Sequence, residues 1–287
     1  MTWFLDLRAQ AVGGGVAQDV AIYEDATPRS VADVQEFVRN RPAILATHGF
    51  NVNRADGRNA LSCWEALLSL PSTTAYLAVL WPGDSAWVPA LDYPIEGSEA
   101  ISAGNLLAAF VLKNLSGAGS LSFVSHSLGA RVVLQAIRGI AKNLRVAHLL
   151  LMAGAIDDTC LTGEYTDAAG AITRISVLAS FHDEVLALAF PAGNFLSGIF
   201  TRGSPYVHAA LGHGGPQTTA GTTVQTGWQI PNPWKYGHHN YLPTQPGQPP
   251  FLPPQTIPAL SAEVPSDYSG EWQPAWSAAI LSTRFSS

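Results

Sequence analysis

Residues 121–133 read Leu121-Ser122-Phe123-Val124-Ser125-His126-Ser127-Leu128-Gly129-Ala130-Arg131-Val132-Val133, the pattern of a strand, a sharp turn and a helix with a serine at the turn. Leu121 to Val124 has the composition of a short buried strand, and Leu128 to Lys142 carries apolar residues at helical spacing. A turn this sharp lifts the serine hydroxyl clear of the sheet edge, and it needs small residues two before and two after the serine so that helix and strand do not clash. Gly129 supplies the second small residue, whereas Ser125 stands where glycine is usual. Ser127 is therefore a candidate nucleophile. The plain alternative is a serine that merely caps the following helix.

A second segment gives that serine a context. Ala46-Thr47-His48-Gly49-Phe50-Asn51 ends the apolar run Ala43 to Thr47. Acyl transfer at a serine needs two backbone N–H groups aimed at the oxygen that becomes negative. One belongs to the residue after the nucleophile, here Leu128. The other comes from a loop after an earlier strand, where a His-Gly pair lets the backbone turn inward. Phe50 is the expected donor, with Asn51 second.

Working outward, strands and helices alternate. Trp3, Leu5 and Leu7 alternate with Phe4 and Asp6, as in a strand with one buried face. Gly13 to Gly15 mark a turn, and Asp19 to Glu24 is the expected hairpin partner. Ala43 to Thr47 is a strand, Ala55 to Leu70 a helix stopped by Pro71, Ala75 to Trp81 a strand closed by Pro82-Gly83, and Glu99 to Leu115 a helix. Val146 to Met152 and Ile172 to Ala179 are further strands. The fold class is α/β, a mostly parallel central sheet with helices on both faces. One domain over residues 1–287 is the economical reading. Residues 191–258 turn irregular, rich in Gly, Thr, Gln and then Pro with aromatics, as in a lid or in active-site loops, or as a surface excursion. Pro274 to Leu281 is a possible closing helix.

Composition narrows the function classes. The chain is 47% hydrophobic and 13% charged, too apolar for a disordered protein. Its formal net charge of −6, with no basic block, gives no reason to expect nucleic acid. The two cysteines, Cys63 and Cys160, form no C-x-x-C pair. No secretory leader and no apolar run of membrane-spanning length is visible, so a cytoplasmic protein is the expectation.

The segments THGFNV, LWPGDS and VSHSLGARVV, beginning at Thr47, Leu80 and Val124, resemble the bacterial α/β-hydrolase family catalogued as a domain of unknown function, DUF900. The resemblance is good over residues 40–190 and poor over the last hundred. It implies the α/β-hydrolase fold, Ser127 as nucleophile, an acid after a late strand and a histidine in a short C-terminal motif like G-H-S-Y. In such folds the chain order is Ser, acid, His. Asp157 and Asp158 follow one late strand, and Asp183 and Glu184 follow the next. Asp183 is the expected acid, since it also matches the family's S-x-x-D-x-x-L pattern, with Asp157 the alternative. Both have the ordinary reading of a loop or helix-capping carboxylate. For the base, aligning Tyr236-Gly237-His238-His239-Asn240-Tyr241 on the tyrosine puts His239 on the family's position, with His238 its rival. His208 and His213 suit a lid or no role. No H-E-x-x-H spacing is present, and the chemistry calls for neither metal nor cofactor.

The expected activity is that of an esterase or lipase acting on a small-molecule carboxylic ester through an acyl-enzyme. A thioesterase or amidase would carry the same residues. From another class, a catalytically silent hydrolase-like module that binds a lipid or protein partner fits the same pattern.

Overall fold

The computed structural model describes residues 1–9, 15–68, 70–83, 93–188, 209–217, 227–230, 232 and 235–241. Most of the irregular segment 191–258, the turn at 10–14, His208 and the expected closing helix at 274–281 lie outside them.

The strands are β1 (Trp3–Arg8), β2 (Val16–Glu24), β3 (Thr27–Arg29), β4 (Pro42–Thr47), β5 (Ala75–Leu80), β6 (Ser120–His126), β7 (Val146–Met152), β8 (Ile172–Ala179) and β9 (Gly227–Gln229). The helices include α1 (Val31–Val38), α2 (Arg54–Leu68), α3 (Tyr93–Asn114), α4 (Gly129–Ile140) and α5 (Thr166–Gly170), and a single helical turn covers Leu211–Gly214. All nine strands lie in one sheet, in the order β3-β2-β1-β5-β4-β6-β7-β8-β9. The pairs from β1 to β9 are parallel, and only the edge hairpin β1-β2-β3 is antiparallel.

The central strands are continuous apolar runs because both of their faces are covered. Every residue of β5 is buried, as is all of β4 beyond Pro42. Helix α4 buries Ala130, Val132, Val133, Leu134, Ala136, Ile137 and Ile140 between the sheet and α3, and leaves Arg131, Gln135 and Arg138 on its opposite face. On α2, Trp64 packs edge-on against Tyr76 of β5, whose hydroxyl donates to the Leu61 carbonyl at 3.0 Å.

Strand β1 departs from the expected single buried face: all six of its residues are buried. Trp3 stacks on Phe37 of α1, ring centroids 4.7 Å apart, while Phe4, on the other face, lies under the Arg58 guanidinium of α2. The polar residues interleaved along β1 are buried with partners, Asp6 pairing with Arg54 at 2.9 Å and Arg8 donating to the Val52 and Trp81 carbonyls. Four elements, β3, β9, α1 and α5, have no counterpart among the segments that the sequence marks. Helix α1 has a legible start, since the Ser30 hydroxyl accepts from the Asp33 N–H while Asp33 accepts from the Ser30 N–H.

The strand order decides where a site can form. From β4 the chain steps towards β1 to make β5, and from β6 it steps the other way to make β7 and β8. β4 and β6 are neighbours, paired from Pro42↔Ser120 to Thr47↔Ser125. Loops leaving their carboxyl ends diverge and open a crevice at this switch point, the usual ligand position in such sheets. His48 and Ser127 are the residues that follow.

Candidate active site

Ser127 occupies a strained turn. Its φ is +53°, in the left-handed region that L-residues avoid. The turn is pinned by Ser127 N–H to Met152 O at 3.0 Å and by Ala155 N–H to Ser127 O at 3.1 Å, so β7 holds the elbow from the side. Strain of this kind persists only where surrounding structure over-determines it, and it concentrates at functional sites.

The two small-residue positions around the serine are not equivalent. Ser125, on β6 opposite Thr47, is fully buried and fits there without glycine. At Gly129 a Cβ would lie 2.4 Å from the His48 carbonyl oxygen. Helix α4 thus starts in backbone contact with the loop after β4, and only glycine allows it.

Ser127 belongs to a chain of hydrogen bonds. Its Oγ–H donates to His238 Nε2 at 2.9 Å, and His238 Nδ1–H donates to Asp183 Oδ2 at 2.7 Å. Asp183 is fully buried in the turn four residues past the end of β8, and its second oxygen accepts the Leu186 N–H at 3.0 Å. The capping and the histidine-orienting readings of Asp183 therefore both hold, one on each oxygen. Asp157 instead accepts from the N–H and hydroxyl of Thr159, two residues on, as a turn carboxylate.

The histidine in the chain is His238, not the expected His239. Both lie in a 3-10 turn, His238–Asn240, closed by the Gly237 N–H on Asn240 Oδ1 at 2.6 Å. Successive side chains of such a turn project about 120° apart, so one ring faces Ser127 and the next cannot. His238 is buried between Ser127 and Asp183, while His239 is exposed with its ring nearly perpendicular, 86°, to that of His238. The two-residue spacing from His to Tyr in G-H-S-Y is three here, so alignment on Tyr241 slips by one. Alignment on Gly237 gives His238. His213 lies edge-on to Phe181, centroids 5.6 Å apart.

Two backbone N–H groups flank the serine. Leu128 N–H stands at the amino end of α4, and neither it nor the Phe50 N–H donates to a backbone carbonyl among the described residues. Asn51 N–H is taken by the Gly83 carbonyl at 2.5 Å, which removes the alternative donor. The loop that carries Phe50 lies directly on the nucleophile: a Cβ on Gly49 would stand 2.7 Å from Ser127 Cβ.

His48 fixes this loop, a role the motif alone did not reveal. Buried at 1% exposure, it donates Nδ1–H to the Gly49 carbonyl at 2.8 Å and accepts the Trp81 N–H on Nε2 at 3.3 Å. Trp81 Nε1–H returns to the His48 carbonyl at 2.9 Å. No peptide here is cis, so the Gly49–Phe50 unit points its carbonyl and its N–H in opposite directions. Holding the carbonyl against the His48 ring directs the Phe50 N–H away from it. The Trp81-Pro82-Gly83 segment thereby braces the His48–Asn51 loop.

Charge is managed by burial. Tyr241 and Tyr236 pack edge-to-face at 4.9 Å beside the histidine turn, and burial raises the pKa of both phenols. Burial, with the neighbouring His238, lowers that of His126 to about 3, so it stays neutral. Among the described residues no group of three or more His, Cys, Asp or Glu could hold a metal, and no helix is long and apolar enough to cross a membrane.

No curated protein sequence matches the chain. The family model described as an α/β hydrolase of unknown function, DUF900, matches residues 26–207, a span that contains Ser127 and Asp183 but ends before His238. With the parallel sheet, the strained serine at its switch point and that match over most of its length, the chain belongs to the DUF900 family of α/β hydrolases.

Proposed function

We propose that the protein is a serine hydrolase that cleaves carboxylic esters through an acyl-enzyme. One observation carries this reading, the continuous hydrogen-bond chain from Ser127 Oγ through His238 to buried Asp183. A base within 3 Å of the hydroxyl proton and an acid on its far nitrogen are what nucleophilic activation of serine requires.

In the first step Ser127 Oγ attacks the ester carbonyl while its proton passes to His238 Nε2. The carbonyl oxygen becomes an oxyanion received by the Leu128 and Phe50 N–H groups. Asp183 keeps the proton of His238 on Nδ1, so Nε2 is the free lone pair, and it stabilises the imidazolium that forms. Collapse of the tetrahedral adduct breaks the bond to the alcohol oxygen, which takes the proton from His238. A water then gives a proton to His238 as it attacks the acyl carbon, and collapse of this second adduct breaks the bond to Ser127 Oγ, which takes the proton back from His238 as the acid is released.

A fluorophosphonate probe tests the reading directly. The wild-type protein should be labelled and Ser127→Ala should not. Labelling that survives in Ser127→Ala would assign the nucleophile elsewhere, and an unlabelled wild type would favour a binding module. Turnover of p-nitrophenyl acyl esters, compared with thioester and anilide analogues, then separates esterase from thioesterase and amidase.

A further inference from the structure

His126, the residue before the nucleophile, takes no part in the steps above, yet it makes direct contact with the base. Its Nε2 lies 2.8 Å from the backbone carbonyl oxygen of His238. A carbonyl only accepts, so Nε2 carries the proton and donates. The His126 ring also packs against the His238 ring, centroids 4.9 Å apart at 51°, and against Tyr241, 5.9 Å away.

We propose that His126 is a positioning residue that sets the place of His238 over Ser127, by holding that histidine's own carbonyl from the strand end that presents the nucleophile. This rests on the reading of Ser127 and His238 as nucleophile and base. The need for such a hold follows from the topology. Ser127 directly follows sheet strand β6, and Asp183, four residues past the end of β8, is held by its N–H on the Ser180 carbonyl and by the Leu186 N–H on its own carboxylate. His238 arrives on a three-residue 3-10 turn with no strand pairing of its own.

Apart from the His238 ring's own bonds to Ser127 and Asp183, the backbone around this turn is bonded to the ends of β8 and β6 and closed on itself. Ser180 Oγ–H, at the end of β8, donates to the Tyr236 carbonyl at 2.6 Å, and Asn240 Oδ1 closes the turn on Gly237. Neither bond reaches His238 itself. The His126 bond does, and it starts one residue from Ser127, so nucleophile and base are referenced to the same strand end across 111 positions of sequence. During the reaction His238 Nε2 must turn from the serine oxygen to the leaving oxygen. A fixed carbonyl lets the ring make that swing about a stationary backbone. The tether also has the right charge: neutrality of His126, which burial favours, keeps a second cation away from the imidazolium 4.9 Å off.

Two polar substitutions separate the tether from general packing. Gln places its amide nitrogen near the position of His126 Nε2, and Asn places its own near Nδ1, too short to reach the carbonyl. In the full chain, His126→Asn should lower kcat and the fluorophosphonate labelling rate together by about 10- to 100-fold with KM changed less than about twofold. His126→Gln should recover to within about threefold of wild type. Hydrogen exchange of the His238 Nδ1 proton, followed by NMR, reads the tether without turnover: it should be slow in wild type and His126→Gln and fast in His126→Asn. Equal impairment of the two variants, or Asn at wild-type rates with slow exchange, would overturn the tether. An unlabelled wild type that still showed slow exchange in Gln and fast in Asn would retain the tether and reject the hydrolase reading.

Discussion

Of the two small-residue positions around Ser127, the structure makes one indispensable and the other replaceable, and a pair of substitutions measures the difference. In Gly129→Ala the new methyl would stand 2.4 Å from the His48 carbonyl oxygen and 3.2 Å from Thr47 Cγ2, where ordinary contact begins near 3.4 Å. The first neighbour is backbone, bound to Trp81 Nε1, and cannot swing aside. The start of α4 and the loop after β4 must therefore separate by about 1 Å, and these segments carry the Leu128 and Phe50 N–H groups. A displacement of about 1 Å at reacting groups costs on the order of 100-fold in rate. Overpacking of a filled core costs roughly 1–3 kcal/mol, only partly offset by the ~1 kcal/mol by which alanine exceeds glycine as a helix former. Ser125→Gly, by contrast, deletes a buried hydroxyl with no partner among the described residues, so its loss offsets part of the ~1 kcal/mol entropy penalty of glycine. Gly129→Ala should thus lower kcat about 100-fold and the thermal midpoint by a few degrees, whereas Ser125→Gly should leave kcat within about threefold. The assay is p-nitrophenyl ester turnover with calorimetry on the same samples. Wild-type turnover by Gly129→Ala, or a greater loss in Ser125→Gly, would refute the packing argument.

Three further outcomes follow from the geometry. His238→Ala should reduce kcat by about 10⁴-fold or more while His239→Ala stays within a few-fold, and the reverse ranking in steady-state kinetics would return the base to His239. His48→Asn keeps a donor near Nδ1 for the Gly49 carbonyl and His48→Phe does not, so Asn should retain about 10-fold more kcat than Phe at similar KM, and equal losses would remove His48 from loop positioning. Because His126 is held at a pKa of about 3, against about 6.5 in an unfolded chain, the unfolded state binds the extra proton between those values. Its contribution to stability is complete above about pH 6.5 and is lost as pH falls towards 3, at about 1.4 kcal/mol per pH unit. His126→Gln should flatten the acid limb of urea-unfolding stability by that slope, and an unchanged slope would show that His126 titrates normally.

Local sequence carried much of the fold and part of the site. Continuous apolar runs such as Ala43–Thr47 and Val146–Met152 announce strands buried on both faces, and the observed strand bounds agree to within a few residues. Helix α1 was missed although Ser30 and Asp33 form a capping box, because its eight residues are short and it bears only two fully buried side chains, Val34 and Val38. Trp3 and Phe4 look like the two sides of a half-exposed strand. Only the arrival of α1 on one face and α2 on the other buries both.

The turn at Ser127 was legible from its own strand-to-turn context, a property of contiguous residues, whereas Asp183 and Asp157 share such a context and only the resemblance to the family's S-x-x-D-x-x-L pattern favoured Asp183. His238 was not distinguishable from His239, since neighbours in one turn differ only in direction. That direction is set by where the turn is tied, by Ser180 at Tyr236 and His126 at His238. The roles of His48 and His126 were likewise invisible, as each works by a hydrogen bond to a carbonyl, and a carbonyl has no signature in sequence. The sequence by itself determined the central strands and the longer helices between them, and that a serine stands at a sharp turn after β6. The tertiary structure alone decided which histidine reaches it, because that choice depends on long-range bonds fixing the orientation of one short turn.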